Sequence, residues 1–438
     1  MRMMNPIAQD LNEILGNANP HLMDMLSSVG RHLFFPKGIL TQGAEAKEKA
    51  HLMNATIGIA TDADGIMHLP SVMAEIPNMK PESSITYAPS YGLQDLRTAW
   101  QRAIREKNPS LGDCPVSLPV VTSGITHAVS VFADLWVDPG DTVILPYMMW
   151  GNYRMILSVR KGAEIVTYPI FTEDFKYNLD AFEGTIRKQA AQGGKIIVIL
   201  NFPHNPSGYT VTREEGQRMA DILVDVASQG TKVIAAMDDS YFGLFYEEET
   251  LKESPFALLC GRHPRLLAVK MDGATKENFV WGLRVGFLTY AAAFTGDAAV
   301  AYDALERKTA GCVRGSISNA SHIGQALVLK LMQKSSYAIE KAEKFQVLNA
   351  RAKRVKEVLS DPKYAEVWDV YPFNSGYFMC LRMRNVNAQA LRVHLLEKYG
   401  VGLISLGERN LRVAFSCLEE RQIPELFDLV YKGALELA

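Results

Sequence analysis

Seven short β-rich runs recur between Ser117 and Tyr290, at 119–122, 142–145, 164–167, 196–200, 233–237, 266–271 and 285–290. Most are separated by segments long enough for a helix. Strands alternating with helices dictate a largely parallel sheet with helices on both faces, because each parallel return needs a crossover of a dozen or more residues. In such sheets ligands bind beyond the carboxyl ends of the strands. Residues with a chemical task are therefore expected just after these runs.

Several stand there. After Val120-Val-Thr122 comes Ser123-Gly-Ile-Thr-His-Ala128, a turn of small residues entering a helix, whose free N–H groups suit a phosphate. After Val143-Ile-Leu-Pro146 comes Tyr147-Met-Met-Trp150, an aromatic surface. After Ile197-Val-Ile-Leu200 comes Asn201-Phe-Pro-His-Asn-Pro-Ser-Gly208, whose prolines fix the backbone around Asn205. After Val233-Ile-Ala-Ala-Met237 come Asp238, Asp239 and Tyr241. The run ending at Met271 leads to Asp-Gly-Ala-Thr-Lys276 and then to Gly282-Leu-Arg284-Val-Gly286. A lysine held in a partly desolvated cleft loses proton affinity and can form a Schiff base with an aldehyde. Arg284, eight residues on, can hold an anion in a bidentate fork. Each residue type also has an ordinary use: lysine as a solvated charge, aspartate as a helix cap, tyrosine and tryptophan as core.

The rest of the chain reads as supporting structure. The first fifty residues are helical in pattern (Leu11 to Leu15, Leu22 to Leu26), with a loop at Phe35-Pro-Lys-Gly38, and form an arm. Asn54-Ala-Thr-Ile-Gly-Ile-Ala60 is expected to be a short strand and turn in which Gly58 lets backbone approach a ligand. Tyr87-Ala-Pro-Ser-Tyr-Gly92 leads into a helix ending near Ile104. Beyond Tyr290 helix is expected to about Ala310, with a break over Cys312-Val-Arg314-Gly-Ser-Ile-Ser-Asn319. A long charged helix covers 337–359, and the remainder, with runs at 376–381, 401–405 and 411–416 around a helix at 388–398, reads as a small α/β domain. The division expected is 1–65 for the arm and part of a small domain, 66–325 for a large domain, and 326–438 for a small C-terminal domain.

Composition removes several function classes. With 438 residues, 48% hydrophobic and 21% charged, the chain is an ordinary two-core enzyme in size and balance. A net charge of −2 argues against general nucleic-acid binding. Its five cysteines lack CxxC spacing, and their odd number predicts reduced packing thiols in a cytoplasm. No apolar run has signal-peptide or membrane-spanning length, so neither secretion nor membrane insertion is expected. The turns lack G-x-G-x-x-G, and the nine histidines show no metal-ligand spacing.

The order Asn205-Pro-Ser-Gly208, Asp238-Asp-Ser-Tyr241, Lys276 with Gly282-Leu-Arg284-Val-Gly286, then Arg412 resembles the pyridoxal-phosphate enzymes of fold type I, specifically the class I/II, aspartate aminotransferase-like aminotransferases. The likeness runs from about Ile57 to Phe415. It implies an α/β fold: a large domain with a mostly parallel seven-stranded sheet covered on both faces, plus a smaller α/β domain. It implies pyridoxal 5′-phosphate as cofactor, Lys276 as Schiff-base lysine and proton shuttle, Asp238 against the pyridine nitrogen, and Tyr241 and Asn205 on the ring hydroxyl. Gly124, Ile125, Thr126 and Arg284 would take the phosphate, with Thr275 or Ser123 making up for Gly273, which stands where the family usually has serine. Trp150 would lie on the ring. Arg412 would bind the substrate carboxylate, with Asn205, Trp150 and Gly58 also meeting substrate. Tyr87 and Arg314 would cross a subunit boundary in a homodimer with shared sites, Tyr87 to the phosphate and Arg314 to a distal carboxylate. Asp239 is expected to face solvent or a cation.

The function so implied is transfer of an amino group between an amino acid, dicarboxylic or aromatic, and a 2-oxo acid. A β-eliminating carbon–sulfur lyase on the same scaffold is the alternative, since its first steps use the same lysine and aspartate. An aminotransferase-like sensor fused to a DNA-binding module is disfavoured, because the N-terminal arm has no basic helix-turn-helix region.

Overall fold

The structure is a computed structural model and describes residues 4–35 and 38–438. Pro36 and Lys37 of the expected arm loop lie outside the described residues. Seven strands form the main sheet: β1 Val120–Thr122, β2 Thr142–Pro146, β3 Glu164–Tyr168, β4 Lys195–Asn201, β5 Lys232–Asp238, β6 Leu266–Gly273 and β7 Gly286–Ala292. Their order is β1-β7-β6-β5-β4-β2-β3. The pairings among β2 to β6 are all parallel, while β7 runs antiparallel to both β1 and β6.

The sequence explains that reversal. Parallel strands need a crossover helix, and the segments before β2 to β6 are long enough to supply one or a long loop. Between β6 and β7 lie only residues 274–285, occupied by the one-turn helix Ala274–Glu277 and the 3-10 turn Trp281–Leu283. With only one turn of α-helix there is no crossover element, and the chain turns straight back. That tight return is the segment holding Lys276 and Arg284.

Central strands are buried on both faces and carry near-continuous aliphatic runs. Alternate residues serve opposite faces. Ile196, Val198 and Leu200 join one core, whereas Ile197 and Ile199 join the other. A third core surrounds a four-stranded antiparallel sheet of β8 Trp368–Val370, β9 Phe378–Met383, β10 Ile404–Leu406 and β11 Asn410–Ala414, ordered β8-β9-β11-β10. Met53 and Asn54 pair in parallel with Val401 and Gly402, which brings the end of the N-terminal segment into this core. The helix Tyr337–Leu359 links the cores: Leu348 belongs to the first, Ala352 and Val355 to the third.

Three expectations need correction. The strand expected within 54–60 is confined to Met53–Asn54. The helix Ala298–Ile317 runs through the expected break at 312–319 and ends only at Ser318, whose φ is +66°. Buried Thr309, Ala310 and Val313 hold it together, overriding the cost of Gly311 and Gly315, ~1 kcal/mol each. The third concerns the cysteines. Cys312, Cys380 and Cys417 are free, but Cys114 and Cys260 form a disulfide. They are 146 positions apart, and the fold joins their segments through Asn108 and Ser110, which bond Ser254 and Glu253. Sequence spacing carries no trace of that proximity.

Candidate active site

The carboxyl ends of β4, β5 and β6 lie side by side, with Asn201 opposite Asp238 and Asp238 opposite Met271. Beyond them is a cavity lined by Ile125, Thr126, Trp150, Asn201, Asn205, Asp238, Ser240, Tyr241, Thr275, Lys276 and Arg284. Nine of these residues were named from the sequence.

Asp238 ends β5, and both of its carboxylate oxygens accept hydrogen bonds. Tyr153 donates its hydroxyl to Oδ2, while the Ser240 hydroxyl and backbone N–H bond Oδ1, the latter at 3.2 Å. Asn201 Nδ2 donates to the Asp238 carbonyl at 2.8 Å, and Asn201 Oδ1 accepts from the Asn205 N–H at 2.9 Å. A carboxylate only 2% exposed is thus held in one orientation before any ligand arrives.

Lys276 leaves the one-turn helix with Nζ 4.8 Å from the centre of the Tyr241 ring. Burial pushes its pKa down from 10.5 to about 8; Asp238 opposes the shift and Arg284 adds to it. Near neutral pH such an amine exists partly unprotonated, as a nucleophile needs. Burial raises the Tyr241 phenol well above its usual range, so it stays protonated and able to donate.

At the other end, the helix Gly124–Trp136 points its N-terminus into the cavity. Gly124 has φ +74°, and a Cβ there would sit 2.5 Å from Arg284 Nη2. Only glycine therefore allows the guanidinium to close over the turn. Arg284 itself takes the left-handed conformation, φ +53°, unusual for a side chain of that size. Thr275 Oγ1 is buried with no hydrogen-bond partner. A helix N-terminus, a guanidinium and an unpartnered hydroxyl around one space suit a phosphate.

The structure also explains Gly273. A Cβ at that position would lie 2.7 Å from the Val285 carbonyl oxygen and 3.0 Å from Gly286 Cα. The β6–β7 return leaves no room for the serine usual in the resembled family. Gly208 meets a similar constraint, with φ +74° and a Cβ that would overlap the Phe378 carbonyl oxygen, fixing the Asn205 turn against β9.

Arg412, on β11, is 2% exposed. Its Nη1 donates to Asn205 Oδ1 at 3.2 Å and Nη2 to the Thr56 carbonyl at 2.8 Å, while Nε has no partner. The guanidinium also lies 4.2 Å from the Phe378 ring centre. It stands beside Asn205 at the cavity edge, and a Cβ added at Gly58 would meet the Tyr241 hydroxyl at 3.5 Å and the Phe378 ring at 3.6 Å. Tyr87 and Arg314 are not brought to this cavity. Both are exposed, Tyr87 at 90%. Asp239 faces a cation as one of the two expectations had it, in a buried pair with Lys270.

Sequence reasoning assigned no role to Asn201, Ser240 or Tyr153. Asn201 and Ser240 sit within motifs quoted for their neighbours, and a serine two residues after a strand-end aspartate is a turn signal. Tyr153 is 85 positions from Asp238, and no local pattern marks it.

Residues 50–430 match the family model for aminotransferase class I and II. The chain belongs to the class I and II aminotransferase family. Among curated relatives, a probable N-acetyl-LL-diaminopimelate aminotransferase of Bacillus subtilis is 25% identical over 207 residues, 47% of this chain and 48% of that one. The chain thus spans about half the length of the curated relatives it matches. Solved aminotransferase structures cover nearly all of it. One from Anaerococcus prevotii superimposes with a TM-score of 0.80 at 22% identity, covering 94% of this chain and 99% of the other. The Pyrococcus horikoshii kynurenine aminotransferase, solved with PMP, gives 0.76 at 15% identity, covering 95% and 98%. At these identities the superpositions establish the shared α/β fold with its seven-stranded mixed sheet.

Proposed function

We propose that this chain is a pyridoxal-phosphate-dependent aminotransferase, moving an amino group between an amino acid, dicarboxylic or aromatic, and a 2-oxo acid. The observation that carries this reading is one cavity with three prepared ends: an amine of depressed pKa, a fixed buried carboxylate, and a phosphate cradle that only Gly124 permits. The spare Thr275 hydroxyl fits the same ligand. When bound, the cofactor supplies an aldehyde that condenses with amines and a protonated pyridine that draws electrons from the substrate Cα.

The chain's residues do the rest. Arg284, Thr275, Thr126 and the N–H groups of Gly124 and Ile125 would hold the phosphate. Asp238, oriented by Tyr153 and Ser240, would keep a proton on the pyridine nitrogen. Tyr241 and Asn205 would bond the ring hydroxyl, and Trp150 would cover the ring. Arg412, with Nε unpaired, has donor capacity for the α-carboxylate common to amino and oxo acids. Released Lys276 Nζ would take a proton from the substrate Cα and return it, a task suited to a pKa of about 8.

The same reading assigns the exposed Tyr87 and Arg314 to the neighbouring subunit of a homodimer, and divides the chain at 1–65, 66–325 and 326–438. Among the described residues no helix is long and apolar enough to cross a membrane; a cytoplasmic location, with neither nucleic acid nor membrane as partner, is part of the proposal. The lyase alternative is the weaker one, since the relative and the two structures described above are aminotransferases. The test is an absorption spectrum of the loaded protein with glutamate, aspartate, tyrosine and a β-substituted cysteine in turn. Conversion to a pyridoxamine spectrum by one donor is expected. Accumulating pyruvate and ammonia with an unchanged spectrum would favour the lyase, and the absence of any cofactor band would overturn both.

A further inference from the structure

Next to Lys276 in sequence stands Glu277, an acid in an unusual place. It is 7% exposed, and it closes a helix of only four residues, Ala274–Glu277. Lys107 Nζ donates to its Oε1 and Oε2 at 2.8 and 3.0 Å, and Lys341 Nζ donates to Oε1 at 3.0 Å. The two lysines come from two different helices. Lys107 is the last residue of the helix Gln94–Lys107, with Nζ 4.7 Å from the Trp100 ring centre. Lys341 lies near the start of the helix Tyr337–Leu359, where Tyr337 also bonds Asn278 Oδ1 at 2.8 Å. Further in, Lys270, Asp239 and Asp272 form a second buried charge group behind the same strand end.

A one-turn helix has little rigidity of its own. This one carries the residue that must aim an amine into the cavity, so something outside it must hold it still. Burial would push the Glu277 carboxyl up, but Lys107 and Lys341 outweigh burial and hold it down at about 2, so the carboxyl is ionised near neutral pH. The lowered proton affinity of Lys276 comes from its burial, with Asp238 opposing the shift and Arg284 adding to it, whereas the Glu277 carboxylate is taken up by its two lysines. The contact also reaches beyond the turn, since the helix bearing Lys341 continues into the third core through Ala352 and Val355.

We propose that Glu277 is a positioning residue: clamped by Lys107 and Lys341, it fixes the direction of the Lys276 side chain and ties it to the helix Tyr337–Leu359. This rests on the reading of Lys276 as the reacting amine. Breaking the clamp lets Nζ swing toward water and regain an ordinary proton affinity. A carboxylate acting by its field alone would do the opposite, since its removal would make the ammonium less stable.

The test reads the amine directly and uses no cofactor. The full-length chain is treated with hydroxylamine to free Lys276 of any aldehyde, dialysed, and acylated with acetic anhydride over a range of pH. Mass spectrometry gives the Lys276 titration midpoint. In the wild type it is expected near 8. In Glu277→Gln and Lys341→Met it is expected to rise by a unit or more toward the ordinary lysine value of about 10.4, and Lys341→Arg is expected to restore the wild-type midpoint. Lys341 is 27% exposed at its side chain, so its variants test the clamp even if Glu277→Gln does not fold. A midpoint unchanged in Lys341→Met despite a lower melting temperature would make the clamp purely structural and overturn the proposal. A downward shift in Glu277→Gln would overturn it too, by showing that the carboxylate acts through its field. Failure of the aminotransferase reading would show separately, as the absence of a cofactor spectrum.

Discussion

The substitution Gly273→Ser restores the residue usual at this position in the resembled family, and it should harm the protein. The added Cβ would lie 2.7 Å from the Val285 carbonyl oxygen and 3.0 Å from Gly286 Cα, against an ordinary contact of 3.4 Å or more. Both neighbours are backbone, and Gly286 is the register partner of Gly273 in the β6–β7 ladder. The crowded carbonyl also accepts the Ala274 N–H at 3.1 Å, the bond that opens the Lys276 turn. Several tenths of an ångström must come from the ladder or from that bond, an overpacking cost of ~1–3 kcal/mol. For a domain of this size that is a fall of roughly 5 °C in melting temperature. Because the displaced bond leads directly into Lys276, affinity for pyridoxal phosphate should fall by about tenfold, ~1.4 kcal/mol, rather than rise with the new hydroxyl. Differential scanning fluorimetry and fluorescence titration would measure both. A serine variant with an unchanged melting temperature and tighter cofactor binding would refute the reasoning.

Three further outcomes are expected. In cofactor-free protein, Lys276→Met should be more stable than the wild type near pH 7. The wild-type amine has a folded pKa of about 8 against 10.5, so the unfolded chain binds more protons between those values, and wild-type stability rises with pH across that window. The difference should disappear above about pH 10.5, as read by urea unfolding at a series of pH values. Tyr153→Phe leaves Asp238 Oδ2 buried without its donor and should cost ~1–3 kcal/mol in the same unfolding assay; equal stability would mean the bond does not form. Arg412→Lys loses the paired geometry of the guanidinium and should raise the KM for the amino donor by roughly 10- to 100-fold, from ~1.5–3 kcal/mol for a charged hydrogen bond. An unchanged KM would remove Arg412 from the carboxylate site.

The strand pattern was legible because a sheet buried on both faces needs continuous aliphatic runs, and all seven runs coincide with strands to within two residues. The long helix Tyr337–Leu359 has the ends the sequence indicates. The cavity residues after β4, β5 and β6 were legible for the same reason, since strand ends in such a sheet converge. Contacts between distant segments were not. The Cys114–Cys260 bond, the Tyr153 hydroxyl on Asp238 and the carbonyl that excludes a side chain at Gly273 are all set by packing across the fold. The helix through Arg314 continues past the break expected at 312–319 because buried Thr309, Ala310 and Val313 decide the local structure.

The central claim is that Lys276 is the amine that takes the aldehyde of pyridoxal phosphate. Loading the protein with the cofactor, reducing with borohydride and mapping the modified peptide by mass spectrometry tests it directly. The account predicts a phosphopyridoxyl mass on Lys276 at near-unit stoichiometry and none in Lys276→Ala. Label spread over surface lysines, or retained at full yield in Lys276→Ala, would contradict it.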